Sequence, residues 1–128
     1  MKETQLTDHE VQFFAKKPDA LDIYVNAREK LLTAFPDAVI DVQNSQITLR
    51  HKRGFAALSL PFRKMKGWPE LCVILSIFLD RQIESPRIAV TAHPRHNRWT
   101  HPMLLVTGQE VDGAALGWLE EAYRFSTR

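Results

Sequence analysis

Two stretches of this 128-residue chain gather side chains that can hold an anion. The first, FRKMKGWP at 62–69, carries Arg63, Lys64, Lys66 and Trp68. The second, at 93–101, carries His93, Arg95, His96, Arg98, Trp99 and His101. Neither contains an acidic residue. Arginine offers a planar fork of donors that matches phosphate or carboxylate, and tryptophan offers a flat surface on which a base or sugar stacks. The expected site residues are therefore Arg63, Lys64, Lys66, Arg95 and Arg98 on phosphates, Trp68 and Trp99 stacking, and His96 and His101 beside them. The competing reading is two solvated loops whose tryptophans each cover a core edge.

Other chemistries have weaker support. His93, His96 and His101 could converge on a metal, but no Asp, Glu or Cys is close in sequence and the arginines would repel a cation. Ser59 and Ser76 lie inside apolar runs without the sharp turn that exposes a nucleophile. Asp37 and Asp41 are four apart across a strand start, a poor arrangement for paired carboxylates. The glycines make neither a phosphate-binding loop nor a dinucleotide fingerprint. Cys72 stands alone in an apolar run and reads as a buried small hydrophobe. No catalytic residue, metal or cofactor is predicted, and a non-enzymatic module is favoured over an enzyme using His96 or His101 as acid–base.

Charge divides along the chain. Residues 1–41 hold 8 acidic and 5 basic side chains, residues 42–107 hold 3 and 10, and residues 108–128 hold 4 and 2. A basic middle between acidic ends marks either an anionic partner or acidic helices lying over a basic sheet. The longest apolar run, Leu71 to Leu79, is well short of the about 20 residues that span a bilayer. The stretch MKETQLTDHE has no apolar core of a secretory signal. A cytoplasmic protein without membrane association is expected.

The elements that must position these loops are legible. Thr7 and Glu10 form a capping box that starts a short helix over Asp8 to Ala15, with Val11 and Phe14 inward. Pro18 breaks it. A second helix from Asp19 shows a stripe of Leu21, Tyr24, Val25, Leu31, Leu32 and Phe35, and Pro36 ends it. Strands follow at Ala38–Val42 and Gln46–Leu60, the latter a hairpin turning at Lys52-Arg53-Gly54. Its first limb alternates, with Ile47, Leu49 and His51 on one face. Further strands are expected at Leu71–Leu79, Arg87–His93 and Thr100–Thr107. Asp112 caps a last helix from Gly113 to about Phe125.

Residues 1–6 are polar and expected to be disordered, leaving a single domain over 1–128. Short links between strands predict an antiparallel meander, since parallel neighbours need a longer crossover. The fold class is α+β: a two-layer domain with a twisted antiparallel sheet of about five to six strands and the terminal helices on one face. In such a meander alternate turns share an end, so loops 62–69 and 94–99 would meet in one basic pole. Pro102 suggests that strand 100–107 is an edge, able to pair with a second copy as a homodimer.

The segments FAKKPDALDIYVNAREKL, SQITLRHKRGFAALSLP, LCVILSIFL, RWTHPMLLV and VDGAALGWLEEAY together resemble a family of small bacterial proteins classified as a domain of unknown function. The resemblance runs from about Val11 to Tyr123 and supports the fold. More distantly, the layout is similar to YdhG-like proteins and to frataxin. That likeness implies iron handling by an acidic ridge, for which Asp19, Asp22, Glu29, Asp37 and Asp41 would stand, interrupted by Arg28 and Lys30. The expectation is an uncharacterised binding module for a nucleotide or nucleic acid, with protein interaction or self-association as the alternative.

Overall fold

The computed structural model describes residues 6–61, 66–89, 92–95 and 98–127, with 92–95 described by backbone alone. Helices α1 (Asp8–Phe13), α2 (Leu21–Ala34) and α3 (Gly113–Ser126) accompany strands β1 (Val39–Val42), β2 (Ile47–Arg50), β3 (Gly54–Ser59), β4 (Val73–Leu79), β5 (Ala92–Arg95) and β6 (Arg98–Leu105). The strands form one antiparallel sheet in the order β1-β2-β3-β4-β6-β5. Ile47 and Leu49 pair with Leu58 and Ala56, and these with Leu75 and Ile77, so one face is continuous across the sheet. Its residues share a single core with Ile23, Ala27 and Leu31 of α2 and Ala115, Leu119 and Ala122 of α3. The helices therefore lie on one face, and the domain is the expected α+β two-layer type.

A bulge between Leu49 and Arg50 adds aromatic weight to this core. A Cβ on Gly54 would meet the Thr48 methyl at 3.0 Å and the Phe78 ring at 4.0 Å, both on the face away from the helices. Phe55 and Ala56 nonetheless both enter the core. The extra residue of a bulge permits two neighbours to share a face. Phe55 uses it to contact Phe35 at 5.3 Å and Tyr123 at 5.2 Å, joining the ends of α2 and α3.

The helix stripes are rotated from their sequence reading. Val11 is 43% exposed, while Glu10 is buried beside Phe14. In α2 the buried residues are Ile23, Tyr24, Ala27, Arg28 and Leu31, with Leu21, Val25 and Leu32 only half-buried. The cause is one polar cluster: Glu10 of α1 takes Arg28 and Tyr24 of α2 inward with it. Gly108 packs against the same helix, where a Cβ would lie 2.3 Å from the Asn26 Cβ.

The expected meander breaks after β4. β5 lies outside β6, and β6 is not an edge. The connection after β4 is anchored on its way back along β6. Ile83 is buried and donates its N–H to His101 Nε2 at 2.9 Å. Arg87 grips Asp112 at 3.0 Å and the Glu110 carbonyl at 2.8 Å. Ile88 bridges Met103, and the Ala89 N–H donates to the Pro102 carbonyl at 2.8 Å. A strand residue points its N–H and C=O to the same side. The N–H that Pro102 lacks thus falls on the irregular side toward this returning segment, which explains a proline in an interior strand. Of the expected strand at 87–93, Val90 lies outside the described residues.

Candidate functional site

The strand order roots the two basic loops at opposite ends of β4. β4 starts at the Val73–Leu105 end and finishes at the Leu79–Trp99 end. The segment 60–72 joins the first end, and the β5–β6 turn sits at the second, where Arg95 pairs with Arg98. Seven residues of β4 lie between, a span of about 20 Å at ~3.3 Å per residue. The two basic loops are thus rooted at opposite ends of β4.

Arg63, Lys64 and His96 lie outside the described residues, and Arg95 is described by its backbone alone. Lys66 is exposed and Trp68 half-buried. Trp99 is half-buried opposite Leu79. Arg98 sets its guanidinium 4.3 Å over the Phe78 ring on the sheet face away from the helices. His101 is fully buried. Its Nδ1 donates to the Ile77 carbonyl at 3.0 Å, while Nε2 accepts from Ile83. Burial pushes its pKa below the usual histidine value, against the opposing effect of the Ile77 bond. This neutral ring is a core spacer rather than an exposed ligand group. Its alternation with Trp99, Met103 and Leu105 is the sequence signal for that position.

Basic residues of the chain's middle meet acidic groups of its C-terminal segment. Arg81 holds Glu121 through two bonds of 2.7 and 2.8 Å, and Arg87 holds Asp112. Arg53 donates to the Ser126 and Phe125 carbonyls at 3.2 and 3.1 Å, completing the exposed C-terminal turn of α3. With Arg50 on Asp41, three basic residues of the middle are paired with acidic residues of the ends. Among the described residues, no three His, Cys, Asp or Glu side chains are grouped to hold a metal ion. None of the described helices is long and apolar enough to cross a membrane.

A different place offers geometry for recognition. Among the described residues β1 pairs only with β2, so its other side is a sheet edge. The Gln43 N–H donates to the Gln46 carbonyl at 2.8 Å, closing the β1–β2 turn. Backbone groups alternate sides along an antiparallel strand, so Asp41 and Val39 face β2 while Val42 and Ile40 face outward. No hydrogen bond from another described residue reaches these outward groups. They open on a groove of about 410 Å³ between β1 and the first two helices. Leu32, Ile40 and Val42 supply its apolar surface, and Thr7, His9, Glu10, Arg28 and Asp41 its polar border.

The groove wall is tied together at Glu10. Its carboxylate accepts from Arg28 Nε at 2.6 Å and Nη2 at 3.3 Å, from the Thr7 N–H at 2.9 Å and hydroxyl at 3.0 Å, and from the Tyr24 hydroxyl. Burial would raise the Glu10 pKa, but these bonds outweigh it and hold the carboxyl below its ordinary value. Burial and the Glu10 bond both push the Tyr24 phenol up. The capping box was legible as Thr7-x-x-Glu10. The partners on α2 were not, because Tyr24 and Arg28 are joined to Glu10 only by packing.

The protein is a two-layer α+β domain with an open sheet edge beside a helix-walled groove. The chain matches the family model described as Domain of unknown function (DUF5655) over residues 10–126, and it belongs to that family. No curated protein and no solved structure matches it.

Proposed function

We propose that this domain is a non-enzymatic module that binds an extended polypeptide segment by adding it as a strand to the free edge of β1. The observation that supports this reading is the outward backbone of Ile40 and Val42 facing a groove that one further strand would occupy. Main-chain hydrogen bonds supply affinity in this mode, and side-chain contacts on alternate residues supply specificity. An added strand would point every second side chain onto Ile40, Val42 and Leu32, so aliphatic residues are favoured there.

Proline substitution tests this. Val42→Pro removes an N–H that points outward and spares the β1–β2 ladder, as edge prolines do. Asp41→Pro removes an N–H that points inward and breaks the ladder. Val42→Pro is expected to keep the wild-type circular dichroism spectrum but lose peptides selected by the wild-type domain from a displayed random library. Unchanged capture of those peptides by Val42→Pro would exclude strand addition at β1.

A further inference from the structure

We infer that Asp41 sets the partner class of this edge, selecting a segment with a basic residue between two aliphatic ones and rejecting a second copy of the chain. The inference rests on the strand-addition reading above. Asp41 is the one charged residue of β1, alternates with Ile40 and Val42 along the strand, and lies at the border of the groove. It is paired with Arg50 at 3.5 Å, with the two side chains 41% and 46% exposed, and Gln43 donates to it at 3.3 Å. Exposed pairs of this length are worth little, so the carboxylate is available to a second cation. Residues directly opposite in an antiparallel pair lie close enough for opposite charges to attract and like charges to repel.

The same geometry disfavours self-association. Pairing that uses both outward groups places Ile40 of one copy against Val42 of the other. Asp41 then falls opposite its own equivalent, with the Cα atoms about 4.5 Å apart in a non-hydrogen-bonded pair. A charge on an edge strand is a common guard against such edge-to-edge contact. A foreign segment avoids the repulsion by carrying Lys or Arg at that place. Its two flanking residues meet Ile40 and Val42 in the groove, and the next outer residue meets Val39, which is 59% exposed.

The probe is a displayed library of random twelve-residue peptides, selected in parallel on wild type, Asp41→Lys and Val42→Pro. Wild type is expected to enrich aliphatic-basic-aliphatic segments, and Asp41→Lys the acidic counterpart. For the best wild-type peptide, replacing its central Lys or Arg by Glu should weaken binding about three- to tenfold at low salt. Added salt should shrink that ratio. Wild type is expected to sediment as a monomer. The same motif from wild type and Asp41→Lys would overturn the role of Asp41 while leaving the groove as a binding site. Enrichment no better than with Val42→Pro would overturn strand addition itself, and this inference with it. A wild-type dimer dissociated by Val42→Pro would overturn the rejection of a second copy.

Discussion

Glu10→Ala is the most informative single perturbation of the fold. The carboxylate is fully buried and accepts from Arg28, Tyr24 and Thr7. Its removal leaves a buried guanidinium, a buried phenol and an N-terminal amide without their shared acceptor. Removing one partner of a buried ion pair costs about 3–5 kcal/mol, chiefly from the uncompensated charge left behind. Against a total stability of about 5–15 kcal/mol, that is a large fraction. Glu10→Gln keeps the volume but loses the charge, and should cost about 2–3 kcal/mol. Urea unfolding of wild type, the two single variants, Arg28→Ala and the double variant Glu10→Ala/Arg28→Ala would measure this. The double variant should cost less than the sum of its singles by about 1–3 kcal/mol, because the second deletion removes the stranded charge. An additive cycle, or a Glu10→Ala cost under about 1 kcal/mol, would refute the assignment of Glu10 as the link between α1 and α2. The pH dependence has a definite sign. The folded pKa is depressed, so the contribution is complete above the ordinary value of 4.5 and is lost as pH falls through the lower folded value. Glu10→Gln should lack that acid step.

Two further outcomes test other parts of the fold. Gly108→Ala forces a methyl against Asn26 and the Ala27 backbone nitrogen at 2.3 and 2.9 Å, and should cost about 1–3 kcal/mol in urea unfolding. The His101 ring, with its pKa depressed by burial, should titrate by NMR below the usual 6.5 of histidine. Its unfolded form takes up the proton first, so this contribution to stability is complete above pH 6.5 and falls as the pH drops toward the folded value. His101→Ala should flatten that step.

Local signals read well wherever the chain's nearest neighbours decide the outcome. Thr7 and Glu10, Asp112 before α3, Pro18 and Pro36 all mark real boundaries. The alternation of Ile47 and Leu49 sets the core face of β2. The pattern TGQE at 107–110 is a second capping box, with the same spacing as the first, and it starts the short 3-10 turn Gly108–Glu110. The candidate site was less legible. A short strand reading VIDV shows that an edge is acceptable, but not that its outward groups meet a groove.

Sequence by itself determined the α+β class, the antiparallel pairing, the helix boundaries and the membership of most core residues. Each follows from periodicity, capping or short connections, which act over a few residues. Tertiary structure alone decided that β6 inserts between β4 and β5, because anchors at Ile83, Arg87 and Ala89 act across distant parts of the chain. That insertion rooted the basic loops at opposite ends of β4 and buried His101. Tertiary packing also turned Glu10 and Arg28 inward, where a charge is tolerated only beside its partner, and left the backbone of Ile40 and Val42 facing a groove.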